Sequence, residues 1–406
     1  MKCLWIAREI PFPAKDGDRI YAGQLARAFG QAVGGVTYVG IGDGVAEAPP
    51  ADDAEVRWLS VGGGRRRMLP ALLSPLPLVA AMHDTPAFRA RLDALYAEPW
   101  DAIVFDHYGA GPAMQQYLAS PIGRSARRAR IAYVSHNHEE LVLRAVAAES
   151  DAGLVKRLGF WQNYWKTRQL ERYLTRHADL VTAITPEDAA SFAVTTPGAE
   201  IIVLTPGYNG AVCAARQISD ATPRHVLMIG SFHWAAKQEN LRQFLKVADP
   251  LFAAHNIVFD VVGGMPEALR AELAPGLKAT RLHGFVDDPA PLFDGARLAL
   301  VPEAIGGGFK LKFLDYLFRR LPVATLSDAA AGLPAPVRAA MIEADTLASL
   351  AASVVAHIDD AARLDQLQQR AFAAGSSLFQ WRDRGAQLRD ALRAPATALT
   401  KEASYG

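Results

Sequence analysis

The stretch from Leu298 to Thr325 constrains this chain more than any other. Leu298 to Pro302 is a short apolar run that reads as a buried strand, and three glycines follow at Gly306, Gly307 and Gly308. Phe309 to Arg320 then shows helical spacing, with Phe309, Phe313, Leu314 and Leu317 on one face, and Leu321-Pro-Val-Ala-Thr325 reads as the next strand. A glycine loop that opens a helix lets backbone N–H groups approach an anion, and the helix N-terminus adds partial positive charge there. Lys310 and Lys312 fall in the first turn, where cations oppose the helix dipole. A bound diphosphate would reconcile them. The plainer reading is a turn whose glycines only permit close packing; the two lysines and Asp315 tilt the choice toward an anion site.

Strand-like and helix-like segments alternate along almost the whole chain, which predicts parallel sheets covered on both faces, an α/β fold. The pattern breaks near Thr205-Pro-Gly-Tyr-Asn-Gly210, stays irregular to Pro223, and restarts at His225. With 406 residues, half of them hydrophobic, two cores are affordable. The expected division is an N-terminal Rossmann-like domain over residues 1–205, to which a helix at about 380–393 returns, and a C-terminal one over 206–379, with a disordered tail over 394–406. Ligands of doubly wound sheets bind beyond the strand C-termini, so a cleft where the two domains face each other is the expected site.

A net charge of +1 gives no reason to expect a nucleic-acid partner. Cys3 and Cys213 are too far apart in sequence for a zinc knuckle or redox pair. The first eight residues are too short an apolar run for a signal peptide, and the apolar segment Met68 to Met82, interrupted by three prolines, is too short to span a bilayer. A cytoplasmic protein is expected, with contact to the inner membrane face left open.

Several further residues sit where chemistry is expected. Gly230 and Ser231 end the strand that starts at His225, and Lys237 precedes the next helix, within reach of a phosphate; read alone, Lys237 is a solvated loop residue. The backbone around Gly284, Phe285 and Val286 can read a nucleobase edge, while Asp287 and Asp288 cap the following turn. Asp315 can accept hydrogen bonds from ribose hydroxyls, or can be an ordinary exposed helix acid.

In this order the segments resemble the retaining GT-B glycosyltransferases of family four, the group 1 enzymes, in the subgroup with a glycine triplet. The strongest part is Gly306-Gly-Gly-Phe-Lys-Leu-Lys-Phe-Leu-Asp-Tyr316 with Leu321-Pro-Val-Ala-Thr325. Asp179 to Glu187, Tyr133-Val-Ser-His-Asn-His-Glu139 and Pro11 to Arg19 are similar to the family's last N-domain strand, its strand-to-histidine loop and its first loop. The chain departs from the family where Gly307 and Asp315 stand at the usual glutamate pair, and where Ser231 replaces a phosphate-binding arginine.

The resemblance implies transfer of a sugar from a UDP- or GDP-linked donor to a hydroxyl, with retention and without a metal or other cofactor. It assigns His136, Lys237 and Lys310 to catalysis. It assigns Gly17, Gly230, Ser231, Gly284, Phe285, Val286, Gly307, Gly308, Phe309, Leu311, Lys312 and Asp315, with the two lysines, to the donor. Asp18, His107 and His138 go to the acceptor side, with Arg8 and Glu9 as weaker candidates. The acceptor would be a saccharide or glycolipid. A GT-B sugar-nucleotide epimerase and a non-catalytic GT-B module that binds a nucleotide or partner are the alternatives. Trp161 and Trp165, one turn apart among basic residues, with Arg65-Arg-Arg67 and the apolar segment after it, read either as a docking face for an anionic bilayer or as a core-facing stripe with a solvated basic face.

Overall fold

The computed structural model describes residues 1–14, 16–42, 53–149, 153–305 and 308–394. The chain divides into two compact units. One is Met1–Gly207 with the C-terminal segment from Gln380, and the other is Tyr208–Phe379.

The first unit runs β1 (Cys3–Glu9), α1 (Gly17–Val33), β2 (Val36–Ile41), β3 (Val56–Val61), α2 (Met68–Leu72), α3 (Leu78–His83), α4 (Pro86–Tyr96), β4 (Ala102–Asp106), α5 (Gly111–Ala119), β5 (Arg130–Val134), α6 (Glu139–Glu149), α7 (Leu154–His177), β6 (Leu180–Ala183), α8 (Pro186–Thr195) and β7 (Ile201–Val203). Its strands are all parallel, in the order β3-β2-β1-β4-β5-β6-β7. The central strand β4, Ala-Ile-Val-Phe-Asp, is buried throughout because helices cover both faces.

The second unit runs β8 (His225–Ile229), α9 (Ala235–Ala254), β9 (Val258–Val262), α10 (Glu267–Leu273), β10 (Thr280–Gly284), α11 (Ala290–Gly295), β11 (Leu298–Val301), α12 (Lys312–Phe318), β12 (Val323–Leu326), α13 (Ala335–Arg338), β13 (Ile342–Ala344), α14 (Leu347–His357) and α15 (Ala361–Gly375). The parallel order is β10-β9-β8-β11-β12-β13. Each sheet therefore reverses its winding once, between β1 and β4 in the first unit and between β8 and β11 in the second. Loops leaving those strand pairs diverge and open a crevice, which makes them the ligand-binding places of such sheets.

The last helix, α16 (Trp381–Arg393), belongs to the first unit. It crosses α1 so closely that a Cβ on Gly385 would lie 2.1 Å from the Ala28 carbonyl oxygen. Trp381 packs on Tyr21, ring centroids 5.7 Å apart, and the Tyr21 hydroxyl donates to the Leu204 carbonyl at 2.8 Å.

Local signals mark several helix starts. Asp16, Thr85, Thr185 and Asp360 cap their helices through side-chain acceptors, and Thr346 and Ser349 form a reciprocal capping box. Sequence reading and structure differ at the start of the helix after the glycine loop. The helix expected over Phe309–Arg320 starts only at Lys312: Gly308 has φ 69°, the next residues form tight turns (Phe313 N–H to Lys310 O, Leu314 N–H to Leu311 O), and Arg320, at φ 53°, terminates it. The N-terminus of α6 is met by a residue distant in sequence. The buried Glu171 of α7 accepts from the Glu139 and Glu140 N–H groups at 3.0 and 2.8 Å. Residues 395–406, expected as a disordered tail, lie outside the described residues.

Candidate functional site

In the first unit a hollow opens at the switch between β1 and β4, lined in part by Arg8, Glu9, Asp18, Asp106, His107 and His136. Asp106 ends β4 and is 1 % exposed; one of its oxygens accepts from the Trp5 indole at 2.8 Å and the other faces His136 Nε2 at 2.6 Å. His136 Nδ1 points the opposite way, toward Asp18 Oδ1 at 3.6 Å, just beyond hydrogen-bond length. Burial opposes a charge on this imidazole, yet Asp106, and then Asp18, raise its pKa to about 10. His136 is therefore an imidazolium at neutral pH: it can donate and stabilise negative charge, and it is not a general base. Burial works against Asp18 as well, but His136 and then Arg8 hold its carboxyl well below the usual range.

Arg8 bridges the hollow, 3.0 Å from Asp18 and 3.2 Å from His107 Nε2, with its Nε 3.3 Å from Glu9. His107 follows β4 with φ 67° and ψ 151°, a backbone region that side chains avoid at a cost of about 1–3 kcal/mol and that concentrates at functional sites. Its Nδ1 accepts from the Gly109 N–H at 3.0 Å, and burial, followed by the Arg8 and His136 charges, pushes its pKa well down, so the ring is neutral. Behind it, Glu139 accepts from Asn137 at 3.0 Å and lies 3.9 Å from His107; burial raises its pKa to about 7. Burial, with Glu139 adding to it, lifts Glu171 to about 8.

Two expected residues fall elsewhere. His138 is buried 4.4 Å from the Phe192 ring, with Nε2 3.2 Å from Thr195 Oγ1. It does not line the hollow, because the turn after β5 sends His136 and His138 to opposite sides. Gly17 is the exposed first residue of α1, next to the capping Asp16.

In the second unit the lysines singled out from sequence converge at the switch between β8 and β11. Glu303, just past β11, is 4 % exposed, and its Oε1 lies 2.5 Å from the Nζ of Lys312, itself 9 % exposed. Burial should raise this carboxyl; instead Lys312, then Lys310 and Lys237, bring it down to about 2. Lys312 is thus already paired inside the protein, so its place in the first turn has an explanation besides a bound diphosphate. Three ammonium groups around one carboxylate still leave a net charge of about +2. Lys310 Nζ donates to the Gly308 carbonyl at 3.1 Å, and Lys312 Nζ would stand 3.3 Å from a Cβ on Gly230. Asn240 of α9 pins the approach to the glycine loop, exchanging both hydrogen bonds with the Ile305 backbone at 2.8 and 2.9 Å.

Around this cluster, Ser231 is half-buried, and Gly284, at φ 72°, gives its carbonyl to the Gly263 N–H at 2.7 Å. Phe285 is 70 % exposed, and Val286, Phe309 and Leu311 pack against the core. Asp315 accepts from the Tyr208 hydroxyl at 3.2 Å, and burial raises its pKa to about 6. Gly307 lies outside the described residues.

Sequence reading missed Asp106 and Glu303, and took Glu139 only as part of the Tyr133–Glu139 loop. Asp106 and Glu303 share a visible signal: each is an acid at the C-terminal end of an otherwise apolar parallel strand.

The whole chain has close structural likenesses. It resembles HepE of Anabaena in complex with UDP and glucose (TM-score 0.65, 15% identity, 97% of this chain and 100% of that chain covered). It resembles WaaG, a glycosyltransferase involved in lipopolysaccharide biosynthesis (0.64, 16%, 95% and 99%). The α,α-trehalose 6-phosphate synthase of Burkholderia multivorans is also similar (0.63, 12%, 97% and 96%). The fold is GT-B. Residues 223–360 match the family described as glycosyl transferases group 1, so the match falls on the GT-B unit that holds the lysine cluster. No curated protein matches the sequence.

Proposed function

We propose that this protein is a retaining, metal-independent glycosyltransferase of the hexosyltransferase type. It moves a sugar from a UDP- or GDP-linked donor to a hydroxyl of a saccharide or glycolipid acceptor, in polysaccharide or glycolipid biosynthesis. The observation that carries the reading is the cluster of Lys237, Lys310 and Lys312 around Glu303, within the stretch that matches the group 1 family. Fixed cations in a partly desolvated site stabilise a departing diphosphate without reorganisation, the role a metal ion fills elsewhere. Their net charge suits that product better than an uncharged sugar. Retention rests on the resemblance of Gly306–Thr325 to the retaining enzymes.

In the first unit, the hollow around His136 takes the hydroxyl-bearing side of the reaction. The imidazolium, held between Asp106 and Asp18, places fixed positive charge at the floor of the hollow, and Arg8 and Asp18 at its edge are the groups that meet the acceptor. Glu303, Asp106 and Glu139 join the assigned residues as supports of these groups.

Calorimetric titration of the protein with UDP, GDP, ADP and their sugar conjugates, with and without EDTA, tests the reading. Micromolar binding of one diphosphate family, indifferent to EDTA, is expected. No binding by any of them would leave the non-catalytic module. Conversion of the sugar nucleotide without any acceptor would instead indicate the epimerase.

A further inference from the structure

The first unit carries an apolar surface with nothing of the described chain packed over it. In the five-residue helix α2 only Ala71 is buried, while Met68, Leu69 and Leu72, with Leu73 just beyond, are exposed, Leu73 by 89 %. The start of α7 is bare on every side: residues 153–159 are all exposed, Leu154, Val155 and Leu158 among them, and the helix begins to bury side chains only at Tyr164. Leu154, Leu158, Trp161 and Trp165 form one stripe at spacings of four, three and four, about 17 Å along the axis. Trp165 is 49 % exposed, so this stripe is not the core-facing one; Tyr164, Thr167, Leu170 and Leu174 are. The two elements are neighbours. Lys166 Nζ donates to the Leu72 carbonyl at 3.1 Å, and the Leu78 N–H donates to Asn163 at 2.9 Å.

Basic side chains gather around this surface, and three of them are paired with acids from elsewhere in the chain: Arg65 with Glu9, Arg66 with Asp84 and Arg168 with Glu140. Residues 62–83 and 153–170 hold seven Lys or Arg and no Asp or Glu, in a chain whose formal net charge is +1, which leaves the remainder at −6. Arg67, Lys156 and Arg157 have no carboxylate partner among the described residues. Such a surface costs solubility unless something covers it. A short helix and a helix end with apolar side chains among unpaired cations fit an interface that is apolar in depth and anionic at its rim. No helix among the described residues is long and apolar enough to cross a membrane.

We infer that α2 and the first turns of α7 form a docking surface for an anionic lipid bilayer. Leu69, Leu73, Leu158 and Trp165 enter the acyl boundary, and Arg67, Lys156 and Arg157 meet the headgroups. The surface lies along the membrane and does not depend on the transferase reading, because it is measured without nucleotide.

The test is co-sedimentation of the full chain with vesicles of phosphatidylcholine, alone or with phosphatidylglycerol, at low and high salt. Binding is expected to the anionic vesicles, to weaken with salt, and to be slight with phosphatidylcholine alone. The Lys156→Gln/Arg157→Gln double variant should bind about 25-fold more weakly. The Leu73→Gln/Leu158→Gln double variant should lose at least about tenfold. All four side chains are exposed, so melting temperatures should match the parent. No binding to anionic vesicles, or binding that neither variant weakens, overturns the inference. So does self-association or capture of an acidic protein that the leucine variants abolish while vesicles are ignored.

Discussion

Replacing Glu303 with glutamine keeps the side chain's shape and removes its charge, leaving the buried Lys312 ammonium without its counter-ion. The carboxyl sits at about 2 against an ordinary 4.5, a difference worth about 3 kcal/mol at neutral pH. That agrees with the about 3–5 kcal/mol expected when one partner of a buried pair is removed. The sign follows from the depressed pKa. The contribution is fully present above 4.5 and is lost as pH falls through about 2, so the gap between parent and Glu303→Gln should close over that window. Urea titration followed by hydrogen exchange of the β11 and α12 amides reads the second unit specifically. A diphosphate restores the missing negative charge, so UDP should stabilise the variant more than the parent. A variant within about 0.5 kcal/mol of the parent at pH 7, the scatter of ordinary surface substitutions, would refute the counter-ion argument.

Four further outcomes are expected. Lys310→Ala should weaken nucleoside diphosphate binding by about tenfold to a hundredfold, the worth of a charge-assisted hydrogen bond, as calorimetry would show; unchanged affinity would remove the lysine cluster from the donor site. His136→Gln should lower turnover by about a hundredfold or more while changing diphosphate affinity little, and turnover at the parental rate would take His136 out of the reaction. Asp315→Asn should raise the thermal stability of the second unit at pH 7. Burial holds this carboxyl up at about 6, so ionisation opposes folding as pH rises from 3.8 through 6; the gain should vanish at pH 3.5, and a loss at pH 7 would contradict it. Gly385→Ala should cost about 1–3 kcal/mol or more by driving a methyl group into the Ala28 carbonyl, with protection lost first in α16, and a neutral effect would mean that the α1–α16 crossing relaxes freely.

Much of the site is legible one segment at a time. The strand, glycine loop and helix around Leu298–Phe318 announce themselves by composition and period, and Lys310, Lys312 and Lys237 stand beside strand ends where ligands bind. What joins them is not legible. Glu303 is nine residues before Lys312, yet nothing local says that the carboxylate folds back onto that ammonium and also feels Lys237 from another helix. His136 shows the same limit. The Tyr133–Glu139 loop marks a histidine, but the partners that charge it, Asp106 and Asp18, come from 30 and 118 residues away. His138, two residues on, has the same local credentials and points into the core.

The sequence by itself determined what is periodic and local: two α/β units with parallel strands, their caps, the break near residue 207, and the strand ends that carry polar residues. Only the tertiary structure decided which charges are neutralised in place, which histidine is an imidazolium, and whether the tryptophan stripe of α7 is core or surface. The physical reason is that hydrophobic period and capping are properties of neighbours in the chain. Burial and Coulomb interaction instead depend on distances in space, and those exist only once the strands have been ordered and the helices laid over them.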